Sequence, residues 1–415
     1  MPKSDLPRIA ILGAGPIGLE AALYARKLEY PVDLYERGQI ADYWQRWGHV
    51  KLFSPFGMNS TPLGRAAIRA ANPDHEFPAE DACITGREHR NAYLVPLSKL
   101  EIIKNCLHLE TQVLAVGRHG YLKDDDPGDP KRARQPFRLL VRDNQKKERN
   151  EEADIVLDCT GTFGQHRWLG DGGIPASGEA AAENSIMYWL EDLGSERKKH
   201  YLGKTTLVVG SGYSAATTVC GLSALFAENP ATWVIWLARS NRTQPLARVV
   251  DDSLRERDRL AVKANTLATR TDDNVEYHAS SVIDRVEFLG QDRGFRVGGG
   301  VAGKAKTWEV DLIIGNVGYS PDTSIYRELH VHECYASLGP MKLAAALQEQ
   351  KGHDCLKVSG GGADNLRNPE ANFYILGAKS HGRNSNFLLR AGFEQVRDVF
   401  AMISGNSGLD LFKKK

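Results

Sequence analysis

Three glycines near the start of the chain have the spacing of a phosphate-binding loop. Gly13, Gly15 and Gly18 follow a short apolar run at residues 8–12 and open a segment, residues 17–28, whose apolar residues recur at helical spacing. In such a loop the first glycine allows a tight turn, the second lets the backbone approach a pyrophosphate, and the third lets helix and strand pack closely. The free N–H groups of the helix N-terminus attract the phosphates. The motif therefore predicts a dinucleotide site.

An acidic residue stands where the same site would need one. Glu36 closes the next predicted strand, which begins at Val32. A carboxylate at this position can accept hydrogen bonds from the ribose hydroxyls of an adenosine. We expect the neighbouring residues Pro16, Ile17 and Arg37 to line the same site. The alternative is a glycine-rich turn that holds no ligand.

The same design returns in the middle of the chain. A second glycine motif lies between an apolar strand at residues 205–209 and a helical segment at residues 213–226. Its third position is alanine, which the dinucleotide fingerprint tolerates. Two dinucleotide units in one chain are an internal repeat in design. The residues assigned to this second site are Gly210, Gly212, Tyr213, Ser214 and Ala215.

The residues after the next strand predict which dinucleotide binds there. The strand at residues 233–237 is followed by Arg239 and Arg242 and by no acid. A carboxylate would favour NAD, whereas arginine suits the 2′-phosphate of NADP through its charge and its planar fork of donors. We therefore predict NADPH rather than NADH. The alternative is that both arginines are ordinary surface cations.

Composition excludes several classes of protein. The chain has 415 residues, which favours two domains, and a formal net charge of +1, which argues against nucleic acid or an anionic membrane as partner. No apolar stretch approaches the roughly 20 residues that span a bilayer. No cysteine or histidine spacing suggests a metal site.

We predict a cytoplasmic protein with reduced thiols, because none of its six cysteines forms a Cys-x-x-Cys pair. Thioredoxin-reductase-type exchange would need such a pair. The cysteines are Cys83, Cys106, Cys159, Cys220, Cys334 and Cys355.

The pattern as a whole resembles the flavin-containing monooxygenase superfamily, which includes N-hydroxylating and Baeyer–Villiger enzymes. The resemblance rests on the two glycine motifs, on the late segment 316–319 (Asn-Val-Gly-Tyr) and on residues 159–161 (Cys-Thr-Gly). It implies an α/β fold of two Rossmann-like dinucleotide-binding domains, with the NADP domain inserted into the FAD domain. The implied boundaries are 1–165 for the first part of the FAD domain, 166–324 for the NADP domain and 325–415 for the return to the FAD domain.

The resemblance also implies cofactors and further contact residues. FAD would bind the first motif and NADPH the second. Residues 373–393 resemble the family's C-terminal return, where a helix N-terminus near Asn386 would face the pyrimidine end of the flavin. Trp44 falls where the family often has a tryptophan. The cofactor contacts added in this way are Trp44, Thr160, Gly161, Gly318, Asn386 and Phe387.

One loop is the best candidate for the reacting end of the flavin. Residues 51–62 combine aromatic side chains with amides and hydroxyls, and by order they match a family segment that carries an Asn or Gln near the ring. We therefore single out Asn59 as the candidate catalytic residue. The alternative for Asn59 is a turn-forming asparagine. His381, which lies before the last helix, could contact the flavin or substrate or belong to a capping loop.

The resemblance implies an NADPH-dependent monooxygenase that inserts one oxygen atom from O2 into a small nitrogen or sulfur nucleophile through a flavin C4a-peroxide. The family's Phe-x-Gly-x-x-x-His fingerprint is absent, and residues 187–203 hold its place. An NAD(P)H:acceptor reductase or oxidase on the same scaffold therefore stays open, as does a non-catalytic nucleotide sensor. The partners implied are a small-molecule substrate and O2, and the resemblance makes a homo-oligomer plausible.

Local patterns predict the remaining elements. Residues 93–108 look helical, residues 39–65 look like a long structured loop, and a final helix is predicted at about residues 386–403. The polar stretch 123–135 has mixed charges, which is typical of a solvated hairpin tip.

Overall fold

The chain folds into two compact units in the computed structural model, which describes residues 6–270, 274–349, 356 and 362–413. Unit 1 consists of the described residues within 1–45, 54–165 and 320–415. Unit 2 consists of those within 46–53 and 166–319. The main segment of unit 2 is therefore inserted, in sequence, into unit 1.

Seventeen strands occur in the described residues. Most are short apolar runs bounded by glycine or polar residues, which is typical of buried strands in parallel sheets. The strands are β1 Ile9–Leu12, β2 Val32–Tyr35, β3 Leu107–His108, β4 Gln112–Arg118, β5 Phe137–Arg142, β6 Glu148–Ala153, β7 Ile155–Asp158, β8 Gln165–His166, β9 Thr205–Val209, β10 Trp233–Leu237, β11 Val275–His278, β12 Ser281–Gly290, β13 Gly294–Val301, β14 Lys304–Val310, β15 Leu312–Gly315, β16 Tyr319–Ser320 and β17 Phe373–Ile375.

Eleven α-helices accompany these strands in the described part of the chain. They are α1 Pro16–Lys27, α2 Asp42–Arg46, α3 Pro62–Ala71, α4 Gly86–His89, α5 Val95–Ser98, α6 Glu101–Lys104, α7 Glu179–Ala182, α8 Tyr213–Ala224, α9 Arg255–Thr269, α10 Met341–Glu349 and α11 Leu389–Ser404. A π-helical turn, Arg90–Leu94, joins α4 to α5. None of the helices in these ranges is long and apolar enough to cross a membrane.

Unit 1 is built on a five-stranded parallel sheet with the order β17-β7-β1-β2-β3. All four residues of β1 and of β7 are buried, because the sheet is covered on both faces. An antiparallel sheet, β4-β5-β6, packs on one face through a core that includes Val116, Phe137 and Leu139. Helix α1 follows β1 directly, so that its N-terminus lies at the carboxyl end of the sheet.

Unit 2 repeats the centre of this architecture, with four strands in its parallel sheet instead of five. Its parallel sheet has the order β11-β10-β9-β15, and its antiparallel sheet is β12-β13-β14. Strand β9 corresponds to β1, helix α8 to α1, and β15 to β7. In both units the antiparallel sheet comes just before the last of these strands in sequence. The predicted fold class, α/β with two Rossmann-like domains, is confirmed.

Three local expectations differ from the structure. The segment 93–108 is not one helix, because a turn at residues 99–100 separates α5 from α6 and the chain then enters β3. The segment 39–65 contains α2 and the start of α3. The final helix begins at Leu389 rather than near Asn386.

The polar stretch 123–135 is not entirely solvated. Arg132 is only 3% exposed, and its Nε lies 3.2 Å from Oε2 of Glu370. Arg118 pairs with the other oxygen of Glu370 at 2.8 Å. Burial opposes ionisation of Glu370, yet the His330 N–H and these two arginines hold the pKa of its carboxyl below its usual value. Arg132 therefore attaches the stretch to the core of unit 1, although no local sequence pattern distinguishes this arginine from its neighbours.

Candidate functional site

The first glycine loop, residues 13–18, has the shape that a pyrophosphate requires. Gly13 has φ +96°, and a Cβ on it would lie 2.8 Å from the carbonyl oxygen of Cys159. A Cβ on Gly18 would lie 1.8 Å from the carbonyl oxygen of Gly13. At Gly15, by contrast, a Cβ would meet no atom of the described residues within 4 Å. The loop thus leaves open space at the N-terminus of α1, where backbone N–H groups can receive an anion.

Glu36 is held in place at the end of β2. The residue is 9% exposed; Oε2 accepts from the N–H of Ala14 at 2.8 Å and Oε1 from the N–H of Gly38 at 2.9 Å. Burial raises the pKa of the carboxyl, while these two N–H groups and Arg37 oppose the rise. Each oxygen keeps a lone pair for a further donor such as a ribose hydroxyl. Arg37 itself is exposed and lies over the ring of Tyr43, 5.0 Å from its centroid.

The turn after β7 completes this end of unit 1. Gly161 has φ +71°, and a Cβ on it would find no described atom within 4 Å. The Thr160 hydroxyl donates to Oδ1 of Asp158 at 2.7 Å. Lys379 donates from Nζ to Oδ2 of Asp158 at 2.6 Å and to the Thr160 hydroxyl at 3.0 Å. Thr160 and Gly161 are therefore positioned by a fully buried ion pair, which sequence reasoning missed.

The C-terminal return of unit 1 packs directly on the first glycine loop. A Cβ on Gly377 would lie 3.1 Å from Ile17, and one on Gly392 would lie 2.4 Å from Ile17 and 3.1 Å from Phe387. Pro16 and Ile17 are both buried. The two small residues thus let the return approach α1 closely. Asn386 and Phe387 lie in the loop before α11 rather than on its first turn, because the helix begins three residues later than predicted.

The candidate catalytic residue Asn59 lies in a buried loop of unit 1. Its side chain is 1% exposed; Oδ1 accepts from the Ser54 hydroxyl at 2.8 Å, and Nδ2 donates to the Ser54 carbonyl at 2.9 Å. The carbonyl of Asn59 is bonded to Nε2 of His89 at 2.7 Å, and Trp44 packs on that histidine ring with centroids 4.8 Å apart. Asn59 therefore closes its own turn, and Trp44 is a core aromatic. Their contact with a cofactor stays a prediction.

A buried carboxyl lies beneath this loop. Glu20 of α1 is 0% exposed, accepts from the Thr61 hydroxyl at 3.0 Å and is bonded to the Tyr93 hydroxyl. Burial raises the pKa of Glu20 to about 7, although both hydrogen bonds and Arg65 act in the other direction. Glu20 falls two residues after Gly18 on the buried face of α1, and this unusual position is the one sequence signal that would have singled it out.

The second glycine loop, residues 210–215, repeats the geometry of the first in unit 2. Gly210 has φ +137°, and a Cβ on it would lie 2.3 Å from the carbonyl oxygen of Asn316. Gly212 precedes α8, and a Cβ added to it would meet no atom of the described residues within 4 Å. Ala215 is fully buried, whereas Ser214 is exposed and Tyr213 half-buried. The N-terminus of α8 is therefore open to an anion.

Two of the other residues predicted for this site are arginines just past β10. Arg239 and Arg242 are both exposed, and the Tyr277 hydroxyl donates to the carbonyl of Arg242 at 2.8 Å. Gly318, predicted at the same end of the sheet, has φ +88° and is exposed after β15. The structure thus gathers these three residues at the carboxyl ends of the β9–β10–β15 strands, where Rossmann folds bind nucleotides.

The segment Arg46–Phe53 belongs to unit 2, whereas the sequence-based boundaries placed it in the first domain. Phe53 meets Tyr213 edge-on with centroids 5.3 Å apart, Lys51 lies 3.3 Å from Glu256, and Arg46 lies over the ring of Trp189. These contacts join residues that are far apart in sequence, so that no local pattern could predict that the segment belongs to unit 2. Through Phe53 the segment contacts the first residue of α8.

Comparison with known proteins identifies the fold. No protein-family model matches the chain, and no curated protein sequence is similar to it. Solved structures match over nearly the whole chain. The bacillithiol disulfide reductase Bdr of Bacillus cereus has a TM-score of 0.70 at 15% identity, covering 97% of this chain and 99% of that one.

A cadaverine monooxygenase and an ornithine N-hydroxylase are similar in the same way. The FAD-bound cadaverine monooxygenase DfoA of Erwinia amylovora has a TM-score of 0.62 at 14% identity, covering 97% of this chain and 95% of that one. The ornithine N-hydroxylase KtzI of Kutzneria sp. 744, with reduced FAD, NADP+ and L-ornithine, has a TM-score of 0.61 at 16% identity, covering 97% and 100%. The fold is that of the flavoproteins with two dinucleotide-binding domains, and at this identity the likeness extends to the fold alone.

Proposed function

We propose that the protein is an FAD-dependent, NADPH-using oxidoreductase, with FAD at the first glycine loop and NADPH at the second. The observation that carries this proposal is the pair of open helix N-termini at Gly15 and Gly212, each beside a glycine that no larger residue could replace. Two dinucleotide sites in one chain are what hydride transfer from a nicotinamide to a flavin requires. A nucleotide sensor would need only one.

The residues of unit 1 fit FAD. Open space at Gly15 would accept the pyrophosphate, and Glu36 has lone pairs for the ribose of the adenosine half. Thr160 and Gly161, held by Asp158 and Lys379, would border the cofactor from the neighbouring strand. When bound, the flavin would supply the hydride-accepting ring, and the protein would orient it and exclude water.

The residues of unit 2 fit NADPH better than NADH. Arg239 and Arg242 are exposed past β10, where a ribose 2′-phosphate would lie. Each presents a guanidinium that can bind a phosphate with two parallel hydrogen bonds. No carboxylate occurs among residues 238–242 to compete for the ribose hydroxyl.

For the second half-reaction we propose oxygen insertion into a small amine or thioether. The whole sequence lacks a Cys-x-x-Cys pair, so that electrons have no paired-thiol relay to follow from the flavin. The likeness to the cadaverine monooxygenase and the ornithine N-hydroxylase adds support, since both enzymes have this fold. In this role Asn59 and Ser54 would shape the loop that borders the substrate.

A second candidate is direct reduction of an external acceptor such as a small disulfide. The observation that favours it is the TM-score of 0.70 with a bacillithiol disulfide reductase, above the scores of the cadaverine monooxygenase and the ornithine N-hydroxylase. Such an acceptor would have to meet the reduced flavin without a resident cysteine pair.

One rapid-mixing experiment separates the two candidates. NADPH-reduced protein is mixed with oxygenated buffer, alone and with candidate amines, sulfides or disulfides. Oxygen insertion predicts a blue-shifted absorbance band and an oxygenated product. Direct return to oxidised flavin with hydrogen peroxide under every condition would exclude insertion for the substrates tested. Anaerobic reoxidation by a disulfide would favour the reductase.

A further inference from the structure

The carboxyl group of Glu20 is buried on the helix that follows the first glycine loop, and the proposed function makes no use of it. The residue is 0% exposed, and its two oxygens are bonded to hydroxyls, Oε2 to that of Thr61 at 3.0 Å and Oε1 to that of Tyr93. No cation among the described residues forms an ion pair with it, because Arg65, whose charge acts on Glu20, pairs with Glu80 at 3.4 Å. Burial without a paired cation favours the protonated form of a carboxyl group.

The hydrogen bonds around Glu20 can be satisfied in both of its protonation states. In the ionised state the hydroxyls of Thr61 and Tyr93 donate to its two oxygens. In the protonated state Oε1 can donate to the Tyr93 oxygen, while the Tyr93 hydroxyl donates to Oγ1 of Thr61, 3.4 Å away, a contact in which either atom can be the donor. Glu20, Thr61 and Tyr93, the Glu20 cluster, therefore form a closed ring of hydrogen bonds that can gain one proton without leaving a buried polar atom unsatisfied.

Within this cluster Glu20 is the group that exchanges a proton near neutral pH. Burial raises the pKa of Glu20 to about 7, and the two hydroxyls and the charge of Arg65, the only other charged group of the described residues that acts on it, oppose the rise. Burial and the Glu20 carboxyl raise the pKa of the Tyr93 phenol well above its usual value, so that Tyr93 keeps its proton. A guanidinium also stays charged throughout the physiological range. A change in the local charge near pH 7 is therefore a change in Glu20.

Glu20 lies one helical turn from the place where the first glycine loop would receive an anion. It follows Pro16, the first residue of α1, by four residues, which correspond to about 6 Å along the helix axis. Helical side chains lean toward the N-terminus, so that the carboxyl group lies nearer to that end than its own Cα does. Gly15 leaves open space there for a phosphate. The two negative charges of a pyrophosphate at roughly 10 Å would raise the pKa of a buried carboxyl group by about one unit or more.

The same anion and the same carboxyl group therefore influence each other. We propose that the Glu20 cluster takes up a proton when the pyrophosphate of FAD binds at the first glycine loop, an inference that rests on FAD binding at that loop. Because such coupling is reciprocal, protonation of Glu20 strengthens FAD binding by the factor by which FAD favours protonation. The affinity for FAD then falls as pH rises from the pKa of Glu20 in the free protein to its higher pKa in the loaded protein. The cluster thereby makes retention of the cofactor sensitive to pH.

Calorimetric titration of the apoprotein with FAD, in two buffers that differ in ionisation enthalpy, counts the protons taken up. For a pKa shift of one unit, the wild type should take up about half a proton more per FAD near pH 7.5 than Glu20→Gln does. The wild type should also bind FAD about sevenfold more weakly at pH 8.5 than at pH 6, whereas the affinity of Glu20→Gln should lack this pH dependence. Equal proton uptake by the two proteins, or the same pH dependence of their affinities, would overturn the proposal.

Two further variants separate this coupling from a structural role. Glu101→Gln makes the same substitution at an exposed position and should take up as many protons as the wild type. Tyr93→Phe removes one of the two hydroxyls that donate to the ionised carboxyl group of Glu20, so that the pH of greatest proton uptake should rise. An unchanged pH of greatest uptake in Tyr93→Phe would contradict the proposal. A wild-type protein that binds no FAD would overturn the proposed function and this inference with it, whereas FAD binding without the proton overturns this inference alone.

A measurement on the wild type keeps the test decisive if the variants of the cluster fail to fold. Infrared difference spectra between apoprotein and FAD-loaded protein near pH 7.5, with and without 13C-labelled glutamate, report the C=O stretch of protonated glutamic acid. That band should grow when FAD binds, and it should move with the label. A spectrum in which FAD binding leaves the protonated glutamic acid band unchanged would overturn the inference.

Discussion

The two glycine loops share one backbone design but differ in what surrounds them. The first loop is enclosed by buried polar groups: Glu36 is bonded to two backbone N–H groups, and the Asp158–Lys379 pair holds the adjoining turn. The second loop is followed by the exposed residues Arg239 and Arg242. The difference agrees with the proposed function, which has a resident flavin in unit 1 and a diffusing nicotinamide in unit 2.

The two units also differ in the residue at the third position of the glycine loop. Gly18 lies so close to the Gly13 carbonyl that no Cβ fits, whereas Ala215 occupies the matching place in unit 2, and its Cβ is 3.5 Å from the Cβ position of Gly210. Helix and strand therefore approach more closely in unit 1. Each prediction below changes one side of this comparison.

The largest expected effect comes from filling either open space. Gly15→Val should abolish FAD binding and Gly212→Val should abolish NADPH binding, since the side chain would take the place of a phosphate. Both glycines have extended φ and ψ that valine also adopts, at −78° and −173° for Gly15 and −93° and 179° for Gly212, so that both variants should fold. Flavin content and NADPH titration measure the two losses. A yellow, fully loaded Gly15→Val protein would contradict the assignment of the first loop.

Breaking the buried ion pair should affect stability next most strongly. Lys379→Met leaves Asp158 as an uncompensated buried carboxylate, which typically costs about 3–5 kcal/mol of unfolding free energy. Urea denaturation measures the change. The matched control Lys342→Met breaks an exposed pair with Asp364 and should leave the free energy of unfolding nearly unchanged. Equal effects of the two substitutions would refute the role given to Lys379.

The buried Glu20 should make stability depend on pH. Its pKa is raised to about 7 in the folded protein from an ordinary value of 4.5, so that the folded state binds more protons between these values. Its contribution is full below pH 4.5 and is lost as pH rises through 7, by about 3 kcal/mol at most. Glu20→Gln should therefore stabilise the protein relative to wild type more at pH 8 than at pH 5, as measured by urea denaturation.

The exposed Glu101 supplies the control for that comparison, because its carboxyl group lies in solvent in the folded chain as it does in the unfolded one. Glu101→Gln should shift stability equally at pH 5 and pH 8. If Glu20→Gln behaves in the same way as Glu101→Gln, burial does not perturb Glu20.

The smallest expected effect concerns the choice of nicotinamide. Arg239→Ala combined with Arg242→Ala should raise the KM for NADPH about tenfold and leave that for NADH unchanged, because only NADPH carries the 2′-phosphate. Arg248→Ala breaks an exposed ion pair with Asp258 in the segment that follows β10, and it should change neither KM. An equal rise for both cofactors would show that these arginines do not bind the 2′-phosphate.

The comparison also explains what the sequence could predict. The glycine loops, the strands before them and the residues Glu36 and Arg239 are set by local patterns with fixed spacing, and the structure places each at the carboxyl end of a parallel sheet. The start of α11 was predicted less well, since Asn386 and Phe387 lie in the loop before the helix. Local propensity does not distinguish such a loop from a first helical turn.

The features that the sequence did not predict depend on contacts between residues that are far apart in the chain. Lys379 pairs with Asp158 across 221 positions and Arg118 with Glu370 across 252, so that nothing near either lysine or arginine marks it as buried. Asn59 looks like a polar residue free for chemistry, yet its amide is used by Ser54. Similarly, the Ser380 hydroxyl accepts a hydrogen bond from Gln395, which lies 15 residues later on α11.

The most direct test of the central claim is anaerobic mixing of the purified protein with NADPH while the absorbance of oxidised flavin is recorded. We expect a yellow protein with one FAD per chain that NADPH bleaches rapidly, and a Gly212→Val protein that stays yellow because the hydride donor cannot bind. A colourless wild-type protein that takes up no FAD, or a yellow one that NADPH does not bleach, would contradict the proposed hydride transfer from NADPH to FAD.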